Sequence, residues 1–108
     1  MTKALVVKTD GNAYIFEHNG DYKDLQKIVG GYLESVMFGN IDCSVYMNDE
    51  AKNIGLPENV KATEYWYNSG QLILLGDYLA GDAIFFGEVD DEGNHTDVPD
   101  HVINHFIK

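Results

Sequence analysis

Apolar and polar residues alternate along much of the chain, which is the pattern of β-strands that bury one face. The alternation is clearest in residues 41–47, where every second residue from Ile41 onward is apolar. Asp10-Gly11 lies between two apolar runs and predicts a tight hairpin turn. The predicted strands are residues 3–9, 13–17, 32–38, 41–47 and 83–89, and residues 71–75 form either a further strand or a buried segment.

Three other segments repeat their apolar residues every three or four positions, as one face of a helix does. In the first of them, Asp21 is placed to cap the amino end and Gly30-Gly31 to end the helix. Asn59 is placed to cap the second, and Asp97 to cap the third, with Pro99 in its first turn. Together the elements predict an α+β fold: a single small domain with a mostly antiparallel sheet of about five or six strands and two or three short helices.

Composition narrows the classes of function. The chain has 108 residues, with 18 Asp and Glu against 7 Lys and no Arg, so its formal net charge is −11. Seven lysines are too few to neutralise a row of phosphates in a chain this acidic, so direct binding to nucleic acid is not expected. The chain has no apolar run of membrane-spanning length and no signal peptide, so neither a membrane partner nor export is expected. Its single cysteine, Cys43, excludes an internal disulfide and agrees with a cytoplasmic location.

Two histidines are the candidate metal ligands. His101 and His105 are four residues apart on the predicted third helix, a spacing that lets two imidazoles share a zinc ion, with His95, Asp97 or Asp100 as a third ligand. The glutamate of the H-E-x-x-H signature is missing between them. The other interpretation is a solvated helix end, where histidine is electrostatically favourable. No metal and no other cofactor is therefore predicted, and the pair stays a weak candidate.

Signatures of catalysis are absent from the sequence. No serine lies in a G-x-S-x-G motif, and Cys43 alternates with polar residues on an apolar face, which predicts a buried and inert thiol. Gly76 and Gly81 have the glycine spacing of a phosphate-binding loop, but Asp82 stands where such a loop has lysine. The acidic segment 88–93 would place Pro99 where a calcium loop needs a bidentate glutamate. The chain is therefore predicted not to be an enzyme.

An aromatic cluster and two groups of acids are the candidate binding residues. Three successive aromatics, Tyr65, Trp66 and Tyr67, cannot all face one core. Either two pack inward and one lies on the surface, or the cluster forms a partner-binding patch beside acidic residues. The acidic run after residue 89 predicts a charged hairpin turn. The candidate partner-binding residues are Glu58, Glu64, Tyr65, Trp66, Asp90, Asp91 and Glu92.

Five segments, taken in order, resemble a known family. They are residues 3–7, 24–34 with its L-Q-x-x-V-G-G-x-L-E pattern, the acidic turn 48–52, the G-L-P-x-N segment 55–59, and the glycine-led strand 81–87. The set resembles domain-of-unknown-function family three-eight-four-six over roughly residues 3–90. The resemblance implies an accessory protein of a phage, plasmid or integrated element in a bacterial cell, and it supplies no catalytic residues.

Three hypotheses for function follow. The favoured one is a non-enzymatic protein that binds a protein partner, in its sharpest form as a DNA mimic whose carboxylates replace phosphates on a host nucleic-acid-binding protein. The alternative is a small-ligand or metal-binding protein, which requires a pocket with converging polar groups. The third is self-association as a homodimer through an exposed strand edge such as residues 41–47.

Overall fold

The computed structural model describes residues 1–39 and 42–107. In this part of the chain, five strands form one antiparallel sheet in the order β2-β1-β5-β4-β3, so the predicted α+β fold is confirmed. The strands are β1 (Thr2–Val7), β2 (Ala13–His18), β3 (Leu33–Val36), β4 (Cys43–Asn48) and β5 (Ala83–Gly87). The helices are α1 (Tyr22–Val29), α2 (Val60–Asn68) and α3 (Asp100–Phe106).

Both faces of the sheet are covered. Side chains alternate along each strand, so Leu5 and Phe85 face α2 and α3, whereas Val6 and Phe86 face α1. The central strand β5 is buried along its whole length, which requires the continuous apolar run that its sequence supplies. The outer strands β2 and β3 are less buried and include Glu17, Glu34 and Ser35, because each strand has a free edge and a solvated side.

Local signals placed both ends of α1 correctly. The Asp21 side chain accepts a hydrogen bond from the Lys23 amide, and Gly30 ends α1 in the left-handed conformation with φ 79°. The predicted cap of α3 is wrong, because its first flanking residue is Pro99 and Asp97 lies outside the helix. The Asp97 carboxylate instead accepts a hydrogen bond from the Lys3 amide at 2.8 Å, which ties the segment before α3 to β1.

Two expectations about strands are also wrong. Residues 71–75 form no strand and are not buried; β5, the next strand along the chain, has β1 and β4 as its neighbours in the sheet. Strand β4 lies between β5 and β3, so it is not the free edge proposed for dimer formation; the free edges belong to β2 and β3. Ile41, which the sequence placed in this strand, lies outside the described residues.

Candidate partner-binding surface

A loop between α2 and β5 exposes three leucines. We call residues 71–77 the leucine loop; the exposed fractions of its leucines are 95% for Leu72, 82% for Leu74 and 100% for Leu75. Single exposed apolar side chains are common on protein surfaces, but three exposed leucines within residues 72–75 are a candidate interaction surface. Full burial of a leucine stabilises a complex by about 1.5–3 kcal/mol, so this loop holds a large unused driving force.

Hydrogen bonds, and not burial of the leucines, hold the loop in shape. The Tyr67 hydroxyl on α2 donates to the Asp77 carbonyl at 2.6 Å and lies 3.4 Å from the Leu74 carbonyl. The Asp77 amide donates to the Leu74 carbonyl at 3.0 Å and closes a turn in which Gly76 has φ 87°. The exposed leucines therefore stand on a framework that is fixed at both ends of the turn.

An ion pair ties the far end of the loop to the segment after β4. Lys52 Nζ lies 2.5 Å from the Asp77 carboxylate and 4.5 Å from the centre of the Tyr78 ring. The hydrogen bond from Lys52, followed by that from the Tyr78 amide, lowers the pKa of Asp77 below its usual value. Both side chains are partly exposed, so the pair contributes on the order of 0–1 kcal/mol and serves to position the loop.

An acidic groove of about 470 Å³ adjoins the loop. Trp66 and Met47 contribute apolar surface to its wall, and Asp77 and Tyr78 connect it to the leucine loop. The indole nitrogen of Trp66 donates to the Met37 carbonyl at 2.9 Å, which fixes the ring against the end of β3. Around these groups the groove carries the exposed carboxylates of Glu34, Asp49 and Glu50.

The aromatic cluster divides between core and surface. Tyr65 packs among Phe38, Phe85 and Phe106, with ring centres 5.1–6.0 Å away, and burial raises the pKa of its hydroxyl. Trp66 also packs against this core, whereas Tyr67 is 40% exposed. This is the arrangement in which two rings pack inward and one lies on the surface. Tyr65 is thus a core residue, and Trp66 is a groove wall.

The acidic candidates do not form one patch. Glu58 is exposed just before α2, where its backbone pairs with Ala80. Glu64 is exposed on α2 beside His105, in a different cavity from the groove. The acidic turn follows the carboxyl end of β5, whereas the leucine loop precedes its amino end. In that turn Asp90 accepts hydrogen bonds from the amides of Glu92 and Asn94, and Asp91 and Glu92 are exposed.

The two candidate metal ligands contact separate groups. His101 Nε2 lies 2.5 Å from the Asp42 carboxylate, and the His105 ring packs tilted against that of Tyr65, with ring centres 4.7 Å apart. Within residues 1–39 and 42–107, no three His, Cys, Asp or Glu side chains are close enough together to hold a metal ion. The side chains of His101 and His105 therefore do not converge on a third ligand in this part of the chain.

Cys43 is buried, and we expect its thiol to be unreactive. Burial, followed by the charge of Asp42, raises the pKa of Cys43 from 9.0 to about 11, so near pH 8 the thiolate is about 100-fold scarcer than in a free cysteine. Ellman's reagent should therefore label the folded protein far more slowly than the urea-unfolded protein. Labelling of the folded protein at the rate of a free thiol would contradict this assignment.

Sequence reasoning missed the leucine loop. Its apolar run resembles a buried strand, and the available counter-signals were Asn68-Ser69-Gly70 before it and Gly76 after it.

Comparison with known proteins adds the family but no activity. The family described as Domain of unknown function (DUF3846) matches residues 1–108, so the predicted family is confirmed and the match extends beyond residues 3–90 to the whole chain. No curated protein and no solved structure matches the chain. No helix in the described part of the chain has the length and apolar character to cross a membrane.

Proposed function

The chain belongs to the DUF3846 family, and we propose that it is a non-enzymatic binding protein whose partner is a basic protein. The observation that carries the proposal is the leucine loop: three leucines almost fully exposed on one hydrogen-bonded turn of a protein with net charge −11. In the complex, these leucines enter an apolar depression on the partner, and the carboxylates around them face its lysines and arginines.

The loop is suited to binding because it is already ordered. A flexible loop loses conformational entropy when it binds, by about 0.5–1.5 kcal/mol for each side chain that becomes immobile. The bonds from Tyr67 to the loop carbonyls and the Lys52–Asp77 pair hold the backbone of the turn before the partner arrives. Binding then costs the side-chain entropy of the leucines, without an added cost for ordering the backbone of the turn.

The negative net charge of the chain favours a basic protein, and not a second copy of this chain, as the partner. Two copies would each bring a net charge of −11 to the interface, and the groove beside the loop would place Glu34, Asp49 and Glu50 against like charges. A basic surface instead gains long-range steering and pairs with the same carboxylates. We therefore expect the pure protein to sediment as a monomer at low salt, and a stable dimer there would favour self-association.

The sharpest form of the proposal is DNA mimicry. An acidic protein of a phage or mobile element, acting in the cytoplasm of its bacterial host, would occupy the nucleic-acid-binding surface of a host protein. The 18 carboxylates against 7 lysines support this form, because such a surface is basic and selects negative charge. The leucine loop would add an apolar contact that DNA lacks.

Salt-step elution of a bacterial lysate from the immobilised protein tests the proposal, with a Leu72→Ser, Leu74→Ser, Leu75→Ser variant as the matched control. We expect a basic protein that the wild type retains, the variant does not, and rising salt releases. Competition by double-stranded DNA would support mimicry, and its absence would overturn that form alone. Equal retention by both proteins would overturn the role of the leucine loop.

A further inference from the structure

A second concave surface lies on the α1 side of the sheet and does not involve the leucine loop. This cleft has a volume of about 530 Å³, within the range of small-molecule sites. Its walls include the side chains of Leu25 from α1 and Leu33 from β3, together with the rings of His18, Tyr22, Tyr46 and His95. None of the described residues that line it is Asp or Glu, although the chain has 18 of them.

His18 gives the cleft an unusual polar group. The residue is only 7% exposed, and its Nδ1 is the one buried side-chain nitrogen or oxygen in the described ranges without a hydrogen-bond partner. Such an atom costs a folded protein about 1–3 kcal/mol, and natural proteins rarely leave one without a reason. Because this nitrogen is also closed to solvent, a ligand group becomes its partner when the His18 ring turns toward the cleft.

The other polar groups of the cleft lie across the ring of Phe86. The Phe86 ring centre is 5.4 Å from that of His18 and 4.5 Å from that of His95. The Tyr46 hydroxyl lies 2.6 Å from His95 Nε2, a hydrogen bond that positions both side chains. Burial lowers the pKa of His95 and so favours its neutral form, which has one donor and one acceptor nitrogen.

We infer that this cleft binds a small, uncharged, planar heterocycle with hydrogen-bonding groups on its edge. The exposed ring of Tyr22 offers a stacking surface, the rings of Tyr46 and His95 lie at 82° to each other and offer one face and one edge, and His18 and Tyr46 offer polar atoms. A cationic ligand would find no carboxylate among the described lining residues, and an anionic ligand would be repelled by the net charge of −11. The site is independent of partner binding at the leucine loop.

NMR titration of the full chain tests the inference, with nicotinamide, adenine and cytosine as uncharged probes and nicotinate as the charged counterpart of the first. We expect saturable shifts at the amides around His18, Tyr46 and His95 for at least one uncharged probe. Nicotinate should bind more weakly than nicotinamide. The absence of saturable shifts with all three uncharged probes would overturn the inference, as would tighter binding of nicotinate.

Two variants separate binding from folding. His18→Phe removes the unpartnered nitrogen and keeps a ring, so it should weaken probe binding about tenfold without lowering the free energy of unfolding. Tyr46→Phe removes only the hydroxyl and should weaken binding as well. Leu74→Ser, on the leucine loop, should leave probe binding unchanged. Unchanged affinity in both His18→Phe and Tyr46→Phe would overturn the site.

Discussion

Replacing the three exposed leucines of the leucine loop together by serine is expected to weaken partner binding by about 100-fold or more while the fold stays intact. The reason is burial: three leucines that enter an apolar depression contribute about 1.5–3 kcal/mol each, and about 2.8 kcal/mol already corresponds to a 100-fold change in Kd. None of the three contributes to the core, since Leu74, the least exposed, is still 82% exposed. The bonds from Tyr67 go to backbone carbonyls, which the substitutions keep.

The matched control for this prediction is Tyr14→Ser. Tyr14 is 42% exposed and lies on β2, the edge of the sheet opposite to β3. The leucine loop begins near the end of β3. The amide of Gly39, just after β3, donates to the hydroxyl of Ser69, two residues before the loop. Calorimetric titration with the captured partner should show the loss for the triple-serine variant only. If that variant kept its affinity within a few-fold of the wild type, the leucines would not be the anchor.

The second large effect is expected for Asn59→Ala, which we predict to lower the free energy of unfolding by about 3–5 kcal/mol. Asn59 is completely buried, and its amide donates to the carbonyls of Val7 at 2.8 Å and Gly81 at 3.0 Å. Its side-chain oxygen accepts a hydrogen bond from the Ala62 amide and caps α2. Loss of the cap costs about 1 kcal/mol, and each unpaired buried partner adds about 1–3 kcal/mol.

Urea unfolding, monitored by circular dichroism, measures this change in the free energy of unfolding. The control is Asn53→Ala, because Asn53 is exposed in the segment after β4 and its substitution should shift stability by no more than about 0.5 kcal/mol. A loss of about 3–5 kcal/mol is a large part of the 5–15 kcal/mol typical of a small domain. A loss below about 1 kcal/mol for Asn59→Ala would mean that water replaces the missing bonds.

Features that depend on neighbours in the sequence were predictable. The Asp10-Gly11 hairpin and the caps at Asp21 and Asn59 each depend on a few adjacent residues, and the structure confirms them. The alternation in the fourth strand likewise predicted which of its side chains are buried, Val45 and Met47 among them. These signals work because the turn, the cap and the buried face are all determined within a few residues.

Features that depend on distant residues were not predictable. Residues 71–75 form no strand, and the neighbours of β5 in the sheet are β1 and β4, which come from distant parts of the chain. Asp97 caps no helix because its partner is the amide of Lys3, 94 residues away. The cleft on the α1 side brings together His18, Tyr46 and His95 from separate parts of the chain. No spacing of residues in the sequence therefore predicts it.

The measurement that tests the central claim most directly is photo-crosslinking in bacterial cells from two positions. A photoreactive amino acid replaces Leu74 on the leucine loop in one protein and Tyr14 on the edge strand β2 in the other, and both sites are exposed. We predict that position 74 crosslinks to one basic protein in high yield and that position 14 does not. Equal crosslinking from both positions, or an acidic protein as the product at position 74, would contradict a leucine anchor that recognises a basic partner.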